Sequence, residues 1–247
     1  MLSQRQQQCL KGIGIRQWLG RSVSVSGSNA EVTQLPETVP QEQIEVIEQA
    51  LPEKPVIISA PVKLDSWDNI TQSIHQCQAC ELARSCTQKV PGVGNQQAGL
   101  MIIGEGPGHE EDLKGEPFVG RSGQLLDKML MAIGISRSQV FITNIVKCRP
   151  PGNRDPHIDE VKACESFIQA QIKHIAPRVI LAVGRISAHH LLNCTTPVGK
   201  LIDQIHHLPG SDIPLKVTYH PAYLLRNPSA KSIVWRDLKN LHKMLNQ

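Results

Sequence analysis

From Leu100 onward the chain repeats one arrangement four times, a short apolar run followed by a longer amphipathic stretch. The runs LMIIG (Leu100–Gly104), VFITNIV (residues 140–146), VILAVG (179–184) and LKVTYH (215–220) have the length of strands, and the first three are apolar enough to be buried on both faces. Helical patterns occupy 122–133, 156–176, 186–192 and 229–245. Strands joined by helices in this way pair in parallel, with helices covering both faces of the sheet. The expected fold is therefore a three-layer α/β/α sandwich around a central four-stranded parallel sheet. Ligands of such sheets sit beyond the carboxyl ends of the strands. Three polar segments fall there: GEGPG after the first strand, Asn144 towards the end of the second, and His220 after the fourth.

The first 66 residues have another character. Residues 4–18 (QRQQQCLKGIGIRQW) carry the pattern of a short amphipathic helix, but the stretch after it is rich in Ser, Gln, Glu and Pro and poor in large apolar residues, as linkers are. Ser66 is placed to cap a helix beginning at Trp67. The expected organisation is an N-terminal extension over 1–66, able to recruit a replication or repair protein, and a compact domain over 67–247. The extension holds six Lys/Arg against seven Asp/Glu, leaving 20 against 15 and all ten histidines to the domain. That excess suits phosphate contacts but is far below that of a protein that coats DNA non-specifically. No apolar run reaches the length of a membrane span, so no membrane association is expected. Seven cysteines without a secretory leader point to the reducing cytoplasm rather than to disulfides.

Four of those cysteines form a pattern, Cys77-x-x-Cys80 followed far downstream by Cys148 and Cys164. Two and two suits zinc and an iron–sulfur cluster equally. Cys9, Cys86 and Cys194 are left over. In Glu105-Gly106-Pro107-Gly108 the glycines let backbone approach a flat ligand, although an ordinary strand-to-helix turn reads the same way. A dinucleotide-binding turn is excluded, because His109, Glu110 and Glu111 stand where its third glycine is required. Phe118, in a polar loop, offers an aromatic face or closes the loop onto the core. Asn144 presents donor and acceptor side by side or caps a loop. His220, before a proline, is a hydrogen-bond donor or a packing residue. Arg121 and Ser122 open a helix in a manner suited to phosphate. Leu224, Leu225 and Arg226 form a loop that reaches outward or packs underneath.

The strings GEGPGHEEDLKGEPFVGRSGQLL, TNIVKCRPPGNRDP and HPAYLLRNP, in this order and together with the four cysteines, resemble family-4 uracil-DNA glycosylases, the iron–sulfur branch of the uracil-DNA glycosylase superfamily. The resemblance runs from about Trp67 to Leu245. It implies that fold, a [4Fe–4S] cluster on Cys77, Cys80, Cys148 and Cys164 in preference to zinc, and a monomeric, monofunctional enzyme. Such an enzyme flips uracil from single- or double-stranded DNA and hydrolyses the N-glycosidic bond in base excision repair. By the same likeness Glu105 orients the attacking water or stabilises charge on the deoxyribose, Gly106 and Pro107 border the base, and Phe118 stacks on it. Asn144 reads N3–H and O4, His220 donates to O2, and Glu111 walls off a C5 methyl. Leu224 or Leu225 wedges into the duplex while Arg121, Ser122 and Arg226 meet phosphate. Relatives often have alanine where Gly106 stands. Relatives that capture uracil covalently through histidine carry a basic insertion after PFVG, whereas here GRSGQLLDKM runs on without it. No lysine stands in these strings as a Schiff-base nucleophile, so a strand-cleaving lyase step is not expected.

Overall fold

The computed structural model describes residues 64–246. The expected helix over 4–18, and the 1–66 extension apart from its last three residues, lie outside that range. Within it the strands are β1 (Val93–Gly94), β2 (Leu100–Gly104), β3 (Phe141–Asn144), β4 (Val179–Val183), β5 (Ile205–His207) and β6 (Pro214–Thr218). The helices are α1 (Trp67–Gln76), α2 (Leu82–Ser85), α3 (His109–Lys114), α4 (Arg121–Ala132), α5 (Ile158–Ile175), α6 (Arg185–Leu192), α7 (Val198–Leu201), α8 (Pro221–Arg226) and α9 (Lys231–Leu245).

The sheet order is β1-β3-β2-β4-β6-β5. Its middle four strands are parallel, as the repeated pattern predicts, but β1 and β5 add antiparallel edges. The expected four-stranded sheet is thus corrected to six. The physical reason is that β1 is a Val-Gly dipeptide and β5 is Ile-His-His with largely exposed side chains, so neither carries an apolar run.

Alternation along β2 builds the layers. Leu100 and Ile102 pack with Leu126, Met129 and Leu130 of α4 and with Val234, Leu238 and Leu241 of α9. Met101 and Ile103 face the other way, into Ile168 and Ile172 of α5 and Ala188 and Leu191 of α6. Burial of each such side chain contributes roughly 1.5–3 kcal/mol. Helix α1 starts as predicted, with Ser66 Oγ accepting the Asn69 N–H at 3.2 Å. Its Ile70 and Ile74 pack on Phe167 of α5, and Trp67 meets Phe141 edge-on at 5.1 Å. That docking carries Cys77, the residue after α1, towards Cys164 in α5. Among the described residues no helix is long and apolar enough to cross a membrane.

Candidate active site

A cavity of about 1080 Å³ opens where the parallel strands end. Strand register decides what meets in it. Gly104, the last residue of β2, pairs with Asn144, the last of β3. A Cβ at position 104 would lie 2.4 Å from Asn144 Oδ1 and 2.7 Å from the Phe118 ring, so the glycine makes room for both. Asn144 is 1% exposed, yet its Oδ1 has no hydrogen-bond partner. Leaving a buried acceptor unpaired costs about 1–3 kcal/mol. Asn144 is among the residues that line the cavity.

Phe118 is buried, with its ring centroid 5.6 Å from that of His220 and the planes inclined by 32°. Glu111 ties its loop to the start of α3. Oε1 accepts the N–H groups of Val119 at 2.9 Å and Gly120 at 3.0 Å, while Oε2 accepts that of Gly108 at 3.1 Å. Glu111 therefore lines the cavity with its carboxylate already held by three backbone donors. Gly106 and Pro107 complete this wall, where a Cβ on Gly106 would stand 2.7 Å from Val146 Cγ2.

His220 precedes α8, and its Nδ1 accepts the Ala222 N–H at 3.2 Å. The proton of a neutral ring is then on Nε2. Burial, reinforced by the charge of Arg226 and opposed by Glu111, holds the imidazole well below the ordinary histidine range, at about 4. The ring is thus a neutral donor at pH 7. Glu105, the residue after β2, accepts the Ile186 N–H at 3.1 Å in the first turn of α6. Burial raises its carboxyl pKa, and the backbone hydrogen bond opposes the rise. Between these two residues lies Gly184, at φ 98, where a Cβ would meet Glu105 Oε1 at 2.5 Å and His220 Cβ at 3.2 Å.

Arg121 and Ser122, at the start of α4, and Arg226, at the end of α8, line the same cavity. The two leucines separate. Leu225 is 40% exposed, whereas Leu224 is 1% exposed and packed in the core with α4 and α9, so its expected role as a wedge is corrected. The reason is the helical turn at 221–226, which points neighbouring side chains in different directions. Sequence reasoning missed Tyr219 and Tyr223, which line the cavity and stack on each other at 4.9 Å. Tyr223 lies inside HPAYLLRNP, so that string held the signal. It also missed Gly184, signalled by a glycine closing an apolar strand.

None of the four expected cysteine ligands lines the cavity. Cys148 and Cys164 are buried, Cys77 and Cys80 half-buried. Burial raises the Cys164 thiol to about 11, Lys147 opposing and Cys80 and Cys77 adding. Burial likewise raises Cys148, followed by the influence of Cys86, Cys164 and Cys80. The four expected ligands are therefore electrostatic neighbours, and Cys86, left over in the sequence, is beside Cys148. Among the described residues no three His, Cys, Asp or Glu side chains meet where they could hold a single metal ion. Lys147, also missed, is buried, and its Nζ donates to Thr143 Oγ1, Asn144 O and Gln171 Oε1 at 2.8, 2.6 and 2.7 Å.

The sequence profile described as the Uracil DNA glycosylase superfamily matches residues 91–239. Similar curated proteins include the type-4 uracil-DNA glycosylase of Archaeoglobus fulgidus, 38% identical over 187 residues, which are 73% of this chain and 94% of the relative. That of Saccharolobus solfataricus is 40% identical over 190 residues, 74% and 88% of the two chains. That of Thermotoga maritima is 40% identical over 185 residues, 72% and 94%.

Proposed function

The chain belongs to the uracil DNA glycosylase superfamily, and from that premise we propose that it is a monofunctional uracil-DNA glycosylase. It flips uracil out of single- or double-stranded DNA and hydrolyses the N-glycosidic bond to leave an abasic site in base excision repair. The observation that carries this reading is the unpartnered, buried Oδ1 of Asn144 in the cavity at the sheet edge. Uracil N3–H satisfies it, while the amide nitrogen donates to O4; cytosine presents the reversed pattern. Phe118 stacks on the base whatever its identity, worth about 1–3 kcal/mol. As the bond breaks, negative charge grows on the leaving base, and the Nε2–H of neutral His220 meets it at O2. Glu105, once ionised, orients the attacking water or stabilises the cationic sugar. Gly106, Pro107 and Glu111 border the base. Arg121, Ser122 and Arg226 take phosphate, and Leu225 fills the gap in the stack.

Cys77, Cys80, Cys148 and Cys164 would hold a [4Fe–4S] cluster. Four sulfur donors that are electrostatic neighbours, two of them buried, fit that group, and the resemblance to the iron–sulfur branch favours it over zinc. When bound it supplies bracing between α1, the segment after β3, and α5, with no part in the hydrolysis. Thiol ligands suit a reducing cytoplasm. In this reading the enzyme works as a monomer, and residues 1–66 recruit a replication or repair protein.

The test is an end-labelled oligonucleotide with one dU, opposite G or A, run on a denaturing gel with and without hot alkali, with the protein's visible spectrum recorded. Strand breaks only after alkali, from a brown protein, are expected. Breaks without alkali would refute the monofunctional assignment. An intact strand would refute turnover, and a retarded protein–DNA band would then mark a capture module.

A further inference from the structure

Phe118 adopts a backbone conformation that its own side chain disfavours. At φ 53 it lies in the left-handed region, which is strained for a bulky residue. Yet this turn is what brings the ring beside Asn144 and His220. Glu111 takes the N–H groups of the next two residues. The carbonyls on the other side go to Arg137, in the turn (Arg137–Gln139) that precedes β3. Its Nη1 donates to Phe118 O at 3.2 Å and to Asp127 Oδ1 of α4 at 3.1 Å, and its Nη2 donates to Pro117 O at 2.5 Å. Gly123 leaves the Phe118 carbonyl its place, since a Cβ there would fall 1.7 Å from that oxygen. Arg137 itself is not part of the cavity wall.

We propose that Arg137 is a positioning residue for base capture, its guanidinium fork holding the left-handed turn that presents the Phe118 ring. The inference rests on the reading of the cavity as a base pocket. A planar fork can hold two successive carbonyls and a carboxylate at once, whereas an ammonium group is a point charge without that geometry. A role confined to packing would be felt whether or not the ring is present; a role exercised through the ring disappears with it.

The test is a double-mutant cycle on uracil release from the dU oligonucleotide. Arg137→Met is expected to lower kcat/KM on the order of tenfold, mostly through KM, since loss of the stacked ring weakens capture. In a Phe118→Ala background the same change should matter by less than about twofold. Arg137→Lys should fall between wild type and Arg137→Met, and carries the same cycle if Arg137→Met does not fold. An independent readout is the NMR shift of the His220 ring protons, which the Phe118 ring current sets; Arg137→Met should move it towards its value in Phe118→Ala. Equal losses in both backgrounds, full activity in a folded Arg137→Met protein, or an unmoved His220 shift would overturn the proposal. No uracil release by the wild type would instead sink the functional reading and leave the ring shift to decide the link between Arg137 and Phe118.

Discussion

An amide discriminates between bases only if it cannot rotate and has nothing else to bind. In the proposed reading that amide is Asn144, which is buried beside the Phe118 ring and the bare backbone of Gly104 with its oxygen unpaired. Asn144→Ala should therefore lower uracil release by about a hundredfold or more without loss of iron. Gly104→Ala should do comparable damage, because its methyl would land on both neighbours; the alkali gel and an iron assay check the pair. Protonation adds a second expectation. Burial lifts the Glu105 pKa, so its active carboxylate form is lost as pH falls through a value above the ordinary 4.5. His220 stays neutral down to about 4 and does not set that limb. The kcat/KM profile should rise with pH across a Glu105 limb, and Glu105→Gln should flatten it. The sequence could propose Asn144 and His220, because their strings are long and ordered, but it could not supply the histidine tautomer. That depends on Ala222 N–H, a backbone contact created only when α8 forms.

Among the elements, α8 shows where pattern reading stops. Six residues are too few for periodicity to tell an inward leucine from an outward one. Leu224→Ala should lower stability by about 2–5 kcal/mol, read by urea unfolding, with catalysis in the surviving folded fraction little changed. Leu225→Ala should leave stability alone and slow release from duplex more than from single strands, where there is no stack to fill. The long helices and the four central strands were readable because each spans enough residues for its period to show. The two edge strands and α2, α3 and α7 were not. Cys148→Ala should remove iron and lower the melting temperature by roughly 5 °C or more before it alters base choice. A clean switch of substrate with full iron content would contradict the bracing role.

Considered as a whole, the molecule gathers the residues of its candidate site from separate parts of the chain around one cavity. The groups named all lie within residues 64–246, and a protein lacking residues 1–63 is expected to release uracil from free DNA at about the wild-type rate. Loss of a partner in pull-down by the same truncation would assign recruitment to the extension. The convergence itself was foreseeable from the βα order; the closeness of Gly184 to Glu105 and His220 was not, because it depends on which strand lies between which. In the order β3-β2-β4-β6, Asn144 closes the first of these strands and His220 follows the last, with two strands between them. The strands that carry them are spaced about 4.8 Å per step, and His220 stands two residues beyond the end of β6. In the proposed reading, backbone pitch, a quantity common to all sheets, spaces the strand ends that border the base. A variant with a loosened core would consequently be scarcer in the cell as folded enzyme, while each folded copy kept the wild-type fidelity.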